Sequence, residues 1–231
     1  MLFLRCYRTS QFKALTKEVC LGQKQMLRRR IGPIQSFTNN TAKQETAPLS
    51  RYKGPTEAEM TPAQREVYDE IARTRTTGVA GPFGPWLINP ALADVAQKLG
   101  RICRYETTLE LRESELVILM TASYCRSPTE WAIHVKEARK AGLEEDIIAH
   151  LAAGTRPKFE AVANLQFPEK DAALHDFTWL VLKQNGVASD SQYTNFKASL
   201  GERTMVEVVS IVGYYTFVAA TLNMFDIQPP A

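Results

Sequence analysis

Cysteine is scarce in this sequence. The 231 residues include four cysteines, and two of these, Cys6 and Cys20, lie near the start of the chain, so that only Cys103 and Cys125 remain for a folded body. Small domains that depend on disulfides use cysteine far more densely than this. The sequence therefore excludes a disulfide-stabilised scaffold.

A long uninterrupted hydrophobic run is also missing. The longest apolar stretch, residues 208–222, is interrupted by Ser210, Gly213 and Thr216. It is shorter than the roughly 20 residues that a helix needs to cross a bilayer. We expect no membrane span.

Excess basic charge is missing from most of the chain. The formal net charge is +3, but residues 1–45 hold nine Lys and Arg against two acidic residues, and residues 46–231 hold nineteen against twenty-three. A nucleic-acid-binding surface needs Lys and Arg on the folded part of a protein. We therefore expect no nucleic-acid partner.

The basic first segment has the composition of a mitochondrial transit peptide. Residues 1–45 mix basic and apolar residues, contain almost no acids and carry hydroxyl residues after an arginine run. Charged residues exclude the apolar core of a secretory signal. The alternative is a disordered basic tail on a cytoplasmic protein. We expect a mitochondrial or otherwise cytoplasmic protein, with a linker or arm over residues 46–60 and a folded domain over residues 61–228.

The rest of the chain predicts an all-α fold of seven or eight helices. Thr61, Pro62 and Gln64 have the spacing of a capping box and start a helix that runs to about Thr74. Residues 76–90 are rich in Gly and Pro and predict a loop, because proline disrupts helix interiors and central strands. The apolar segment 113–124 predicts a central, buried helix. Further helices are predicted over residues 91–105, 128–141, 144–153, 170–184, 189–200 and 203–223, and the Asn185-Gly186 pair is expected to stop the helix at residue 184.

Two residues of the predicted helix 128–141 share one face. Glu130 and His134 are four positions apart, so their side chains project to the same side. A carboxylate can orient an imidazole and raise its pKa, which suits a proton donor or acceptor. Alternatively, Glu130 forms a capping box with Ser127, which would explain this residue without any catalytic role, and His134 is structural. Spacing alone leaves both interpretations open.

A third acidic residue, Glu115, lies in the most apolar predicted helix. An ionised carboxylate there costs several kcal/mol unless it is paired, so Glu115 requires a partner or a raised pKa. The alternative is a solvated position at the rim of the first turn, where the helix dipole favours an acid.

The polar residues do not predict a metal or phosphate site. Glu130 and His134 supply half of a carboxylate and histidine metal site, but only His150 and His175 remain and no second pair of this kind occurs. The glycines of residues 76–90 alternate with prolines, which lack the N–H groups that cradle phosphate. We expect no metal and no cofactor.

Several segments together resemble the carboxymuconolactone decarboxylase and alkylhydroperoxidase D superfamily. They are residues 99–109 and 112–119, Glu130 and Trp131 with His134, and residues 138–143, within a similarity over about residues 60–225. The resemblance implies an alkylhydroperoxidase D-like helical fold. It also implies a homo-oligomer, a trimer or hexamer, in which apolar faces such as that of residues 208–222 are partly buried between subunits.

The sequence departs from the peroxidase branch of that superfamily. In that branch a Cys-x-x-Cys pair stands seven and four residues before the histidine, and an upstream Glu relays protons. By position, Ser127 and Glu130 take the cysteine places, His134 is kept and Glu115 is the upstream acid. Disulfide cycling needs a thiolate and a resolving thiol. Cys125 has no Cys-x-x-Cys partner, and we expect it to be an inert, small hydrophobic residue.

The decarboxylase branch fits these residues better. Loss of CO2 from a lactone acid leaves a dienolate, so the pocket must hold the carboxylate, stabilise the spreading charge and deliver a proton to carbon. The resemblance implies that His134 donates the proton, oriented by Glu130 or Glu115. We expect Arg104 to clamp the carboxylate, with a surface pair to Glu106 as the alternative. The candidate pocket walls, each of which can equally be core, are Trp86, Tyr105, Tyr124 and Trp131.

The expected function is cofactor-free decarboxylation, or related proton-transfer chemistry, on a small cyclic carboxylic acid or lactone. Three alternatives stay open. They are a thiol peroxidase that uses Cys125, a dehydratase or isomerase that acts on a polyketide-like substrate, and a non-catalytic helical oligomeric module.

Overall fold

The computed structural model describes residues 51–52, 54–75, 78–163 and 165–229. These ranges contain nine α-helices, one short 3-10 helix at Phe159–Ala161 and no strand, which confirms the all-α prediction. The predictions for residues 1–45 lie outside the described residues. The helices are α1 Pro62–Thr74, α2 Phe83–Trp86, α3 Pro90–Tyr105, α4 Leu111–Tyr124, α5 Pro128–Lys140, α6 Glu145–Ala152, α7 Pro168–Gln184, α8 Asp190–Leu200 and α9 Glu202–Met224.

Most helix ends follow from local capping chemistry. At the start of α1 the backbone N–H of Thr61 donates to Oε1 of Gln64 at 2.9 Å, and the N–H of Gln64 donates to Oγ1 of Thr61 at 3.3 Å, which confirms the predicted capping box. Helix α7 ends at Asn185, whose φ of 52° is left-handed, as the Asn-Gly pair predicted. These signals need only neighbouring residues.

The Gly- and Pro-rich segment is not a continuous loop. Residues Phe83–Trp86 form the short helix α2, so the prediction of a loop throughout residues 76–90 is wrong at this point. Pro85 is the third residue of α2, where a backbone N–H has no partner within the helix in any case. Proline therefore costs this single turn no hydrogen bond.

Helix α4 lies at the centre of the core. It packs against α3, α5, α6, α7 and α9. Four consecutive residues of α4, Leu116, Val117, Ile118 and Leu119, are completely buried. The apolar segment therefore forms the central helix that its composition predicted.

A three-residue turn joins α4 to α5. Arg126 has a left-handed φ of 52° and its N–H donates to the carbonyl of Ser123 at 3.1 Å, while the N–H of Ser127 donates to the carbonyl of Ala122 at 3.0 Å. This bonding is that of a Schellman motif. The turn makes α4 and α5 a helical hairpin, which carries Glu115 on one arm and His134 on the other.

The last helix, α9, is longer than the apolar run that its sequence shows. It has 23 residues and a mean hydropathy of 1.6 in its most apolar window, so by length and composition it can cross a membrane, and the expectation that it is too short is wrong. Of that window, 56% is buried inside the fold. Core helices of soluble proteins have the same length and composition.

The described part of the predicted arm is attached to the end of α9. The backbone N–H of Arg51 donates to the carbonyl of Phe225 at 3.1 Å, and the rings of Tyr52 and Phe225 lie 6.0 Å apart. Glu57 accepts a hydrogen bond from Arg65 of α1 at 2.9 Å. Residues 54–60 form no helix before α1 begins.

Candidate functional site

His134 lies between two carboxylates in the helical hairpin. Its Nδ1 is 2.7 Å from Oε2 of Glu115, and its Nε2 is 3.2 Å from Oε1 of Glu130. All three residues are buried, and His134 is only 3% exposed. The structure therefore brings together the three residues that the sequence predicted as catalytic, although their roles stay predictions. Glu115 is not at a solvated rim, so that alternative is wrong.

The two carboxylates decide the charge of the His134 ring. Burial lowers the pKa of His134, but the hydrogen bonds to Glu115 and Glu130 and the charges of these carboxylates outweigh burial and raise the pKa from 6.5 to about 9. At neutral pH the ring is therefore an imidazolium. A buried cation with an acid on each side can donate a proton and take it back.

Glu130 does not close the predicted capping box. Ser127 is the residue before α5, but its side chain makes no capping hydrogen bond. Its backbone N–H already donates to the carbonyl of Ala122, so that Glu130 is free to face His134 one turn further along. The buried Oγ of Ser127 has no hydrogen-bond partner among the described residues. The capping-box interpretation of Glu130 is wrong.

Aromatic rings of α9 enclose the imidazole. The Tyr215 ring meets the His134 ring edge to face, with centroids 5.1 Å apart and planes at 89°. Tyr214 packs against Tyr215 at 5.3 Å. Burial raises the pKa of the Tyr215 hydroxyl well above its usual value. The sequence analysis does not predict either tyrosine as a site residue. The signal that could have indicated them is a pair of polar aromatic residues inside an otherwise apolar helix.

Gly100 permits the close approach of α3 to this aromatic cluster. A Cβ at Gly100 would lie 2.1 Å from the hydroxyl oxygen of Tyr214. Such a separation is far below van der Waals contact, so any side chain here displaces Tyr214 or the helix. The position of α3 against α9 thus depends on this glycine.

Arg104 of α3 belongs to the same charged cluster. Burial lowers its pKa, but interactions with Tyr215, Tyr105, Glu115 and Glu137 outweigh burial and raise it, so the guanidinium stays charged. Its Nη2 lies 3.8 Å from Oε2 of Glu137. Glu106, the partner in the alternative interpretation, pairs with Arg101 instead. The side chain of Arg104 is 19% exposed, which makes it more accessible than His134.

The predicted pocket walls divide into two groups. Trp86 is core, because its ring stacks on Phe217 at 4.6 Å and its Nε1 donates to Oγ1 of Thr221 at 3.0 Å. Trp131 is partly buried against the core. Tyr105 and Tyr124 are 54% and 45% exposed, so neither walls a closed pocket in this chain.

The two cysteines of the described residues are unsuited to thiolate chemistry. Burial raises the pKa of the Cys125 thiol, a contact with Thr216 offsets part of this and the charge of Glu130 adds to it. Burial also raises the pKa of Cys103 to about 11. Nucleophilic cysteines have lowered pKa values. A raised pKa agrees with the expectation that Cys125 is an inert, small hydrophobic residue.

Two cavities lie apart from this cluster. One of about 140 Å³ lies between α4, α6 and α7, and the other, of about 500 Å³, lies between α7, α8 and α9. Neither is lined by Glu115, Glu130 or His134. Within the described part of the chain, no group of three or more His, Cys, Asp and Glu side chains is arranged to hold a metal ion.

Comparison with known proteins gives a partial family match and a fold. Residues 90–157 match the sequence profile of the carboxymuconolactone decarboxylase family. No curated protein matches the chain. The matched residues include α3, α4, α5 and α6, and therefore Arg104, Glu115, Glu130 and His134.

Solved structures with the same fold come from bacteria. An alkylhydroperoxidase AhpD core protein of Ralstonia eutropha, described as peroxidase-related, is 15% identical with a TM-score of 0.61, over 79% of this chain and 93% of its own. A peroxidase-related protein of Silicibacter is 12% identical with a TM-score of 0.62, over 83% and 96%. A protein of unknown function from Agrobacterium tumefaciens, related by its description to the antioxidant defence protein AhpD, is 20% identical with a TM-score of 0.53, over 64% and 96%.

These structures establish the fold, and the profile match covers the segment that holds Glu115, Glu130 and His134. The matched family is named for a decarboxylase, whereas two of the similar structures are described as peroxidase-related. Residues 90–157 are thus similar to the carboxymuconolactone decarboxylase family, and the chain shares the fold of AhpD-like proteins.

Proposed function

We propose that this protein catalyses cofactor-free proton transfer coupled to decarboxylation of a small cyclic carboxylic acid or lactone. The observation that carries the proposal is the placement of His134 between Glu115 and Glu130, which holds the ring as an imidazolium at neutral pH. The carbanion-like product of decarboxylation needs such a proton donor. A thiol peroxidase instead needs a cysteine at the position of Glu130, so the carboxylate there favours proton transfer over disulfide chemistry.

In this reaction the substrate carboxylate binds Arg104, the most accessible cation of the cluster. The bond between the ring carbon and the carboxylate then breaks, CO2 leaves, and the electron pair spreads into the lactone as a dienolate. The Nε2–H of His134 transfers its proton to carbon, because the contact of Nε2 with Glu130 at 3.2 Å is longer than that of Nδ1 with Glu115 at 2.7 Å. Glu115 holds the ring in place throughout.

The burial of His134 gives the reaction a dry site. The Tyr215 ring packs perpendicular to the imidazole, and a carboxylate lies next to each of the two ring nitrogens. His134 therefore has almost no contact with solvent. Exclusion of water strengthens electrostatic stabilisation of the dienolate. The substrate enters from the side of Arg104, where the cluster is most exposed.

The proposal is tested with a panel of lactone and cyclic carboxylic acids carrying ¹³C in the carboxyl group, incubated with the full chain in D2O. Release of ¹³CO2 with one deuterium incorporated on carbon is expected for at least one compound, and Cys125→Ser should release it at the same rate. Deuterium exchange or loss of water without ¹³CO2 would identify an isomerase or dehydratase instead. Peroxide reduction that disappears in Cys125→Ser would establish the peroxidase, and no turnover in any assay would support a non-catalytic module.

The pH dependence of turnover should follow His134. Because the folded pKa lies above the usual value, the imidazolium is present below pH 6.5 and is lost as the pH rises through about 9. We expect kcat/KM to be flat around neutral pH and to fall tenfold per pH unit above about 9. A pH–rate profile from pH 6 to 10.5 measures this. A limb near pH 6.5 would contradict the proposed role of the carboxylates.

We further propose that the chain is a homo-oligomer, a trimer or hexamer, that associates through α3. In the segment expected to lie between subunits, residues 208–222, Val208 and Leu222 are buried within the chain itself, whereas Val209 and Phe217 are 48% and 38% exposed. An exposed apolar stripe with spacing of four and three residues instead runs along α3 and the residues before it, and this spacing is typical of helix–helix contacts. The stripe consists of Ile88, Leu92, Val95, Leu99 and Ile102.

Val95→Asp should disrupt this association. An unpaired charge in an apolar interface is costly, so we expect the Kd of the oligomer to rise at least tenfold. Light scattering after size-exclusion chromatography measures the mass. The control is Val187→Asp, which changes an equally exposed valine outside the stripe and should leave the mass unaltered. A wild-type monomer, or a Val95→Asp protein of unaltered mass, would refute an interface on α3.

A further inference from the structure

The smaller cavity, of about 140 Å³, has the features of a second ligand site. Met120 and Ser123 of α4 line one side, Leu151 of α6 lines another, and His175 and Trp179 of α7 complete the wall. None of these residues belongs to the His134 cluster. Met120 and Ser123 are five and eight positions beyond Glu115, or roughly 140° and 80° around the helix, so α4 presents Glu115 to one site and this cavity to another face.

A buried histidine, His175, contributes a hydrogen-bonding nitrogen to this cavity. His175 is 4% exposed, and its Nδ1 lies 2.9 Å from Oδ1 of Asp176. Its ring packs against Phe159 and Trp179, with centroids 5.7 and 6.2 Å away. Among the described residues, Nε2 of His175 has no hydrogen-bond partner. The ring is thus fixed in orientation by its surroundings and has one unused nitrogen.

Asp176 sets which nitrogen of His175 carries a proton. Burial raises the pKa of Asp176, but hydrogen bonds from His175 and Arg156 outweigh burial and lower the pKa to about 2. The ionised carboxylate accepts from Nδ1–H of His175, so Nε2 is the ring nitrogen left to a ligand. The cavity therefore offers this nitrogen to a ligand that carries a hydrogen-bonding group.

The charges that line the cavity are already balanced. Nε and Nη2 of Arg156 donate to Oδ1 and Oδ2 of Asp176 at 2.8 and 3.0 Å, which is a bidentate pair. Ser123 donates to the carbonyl of Leu151 at 2.9 Å. A charged ligand would find no unpaired opposite charge and would lose its hydration. These contacts favour an uncharged ligand.

We propose that this cavity binds an uncharged molecule of one aromatic ring with a hydroxyl group, a phenol, whose O–H donates to Nε2 of His175. The volume supports one ring, because a cavity of about 150 Å³ holds one benzene. The side chains of Met120, Leu151 and Trp179 supply the apolar and aromatic walls that such a ring requires. This site is independent of the reaction proposed at His134.

The test compares phenol with toluene, which has a similar shape but no donor. Isothermal titration of the full-length protein should show saturable binding of one phenol per chain, with phenol at least tenfold tighter than toluene, since one hydrogen bond to an otherwise unpaired acceptor is worth about that factor. His175→Phe keeps an aromatic ring between Phe159 and Trp179 but removes the acceptor. The variant should lose the preference for phenol and bind toluene at least as tightly, because the phenol hydroxyl then has no partner for its lost hydration.

A second variant separates this cavity from any other binding place. Ser123→Leu fills the cavity and should abolish binding of both compounds, with thermal unfolding used to check that the variant is folded. The proposal is overturned if the wild type binds neither compound, if it binds both equally, or if His175→Phe keeps the tenfold preference. Phenol binding that survives in a folded Ser123→Leu protein would place the ligand elsewhere and also overturn it. If Ser123→Leu does not fold, the comparison in His175→Phe decides.

Discussion

Replacing His134 with glutamine should lower kcat/KM for the decarboxylated substrate by about 100- to 10,000-fold, the range that one general acid contributes. Glutamine is similar in length and can still donate to Glu115, which lies 2.7 Å from Nδ1 in the wild type, but it cannot transfer a proton. The loss should fall on kcat more than on KM, because Arg104 still binds the substrate carboxylate. Steady-state kinetics with ¹³CO2 detection measures both constants.

A second variant, Glu115→Gln, tests how the pKa of His134 is set, because it keeps the side-chain shape and removes one negative charge. Since hydrogen bonding to Glu115 and its charge help to raise the pKa of His134, we expect the alkaline limb of the pH–rate profile to move from about 9 toward 6.5. A purely structural role of Glu115 would lower stability without moving this limb. Turnover by His134→Gln at the wild-type rate would reject the mechanism.

The largest effect on stability is expected at Arg112. Its guanidinium joins three elements: Nη1 donates to Asp171 of α7 at 3.0 Å, and Nε donates to Glu144, the residue before α6, at 3.1 Å. The side chains of Arg112 and Asp171 are 17% and 3% exposed. Arg112→Met should reduce the free energy of unfolding by about 3 to 5 kcal/mol, because it leaves a buried carboxylate without its cation.

The control for Arg112→Met is Arg139→Met, which breaks a pair with Glu145 in which both side chains are more than half exposed. That change should cost less than about 1 kcal/mol. Urea unfolding followed by circular dichroism measures both variants. The double variant Arg112→Met with Asp171→Leu should recover part of the loss, since it removes the unpaired carboxylate. Equal stabilities of Arg112→Met and Arg139→Met would contradict this account.

Local signals explain why so much of the fold was predictable. The cap at Thr61 and the Asn-Gly stop after α7 involve residues within one turn of each other, and the structure confirms both. The cap of α4 was missed, because there Glu110 and Glu113 form the capping box and Glu is an uncommon residue at the first position. Its helix consequently begins at Leu111, two residues earlier than expected.

The site was predictable only in part, because its contacts are tertiary. The resemblance brought Glu115 and His134 together, but no spacing rule connects residues nineteen positions apart in different helices. Tyr215 comes from α9, far along the chain, and no local pattern indicates that its ring meets His134. The spacing of Ser127 and Glu130 predicted a capping box that does not form, again because of a contact outside the local pattern. The Ser127 N–H, which Glu130 would have accepted, already donates to the carbonyl of Ala122.

The turn at residues 125–127 has a consequence for how this site tolerates change. A substitution within it alters a side chain, whereas an inserted residue would break the bond from the Ser127 N–H to the Ala122 carbonyl, which fixes the start of α5 against the end of α4. The contact of His134 with Glu115 would then be lost, with every helix still formed. The turn therefore serves the site through its length and its left-handed residue, Arg126, which set the register of Glu115 with His134.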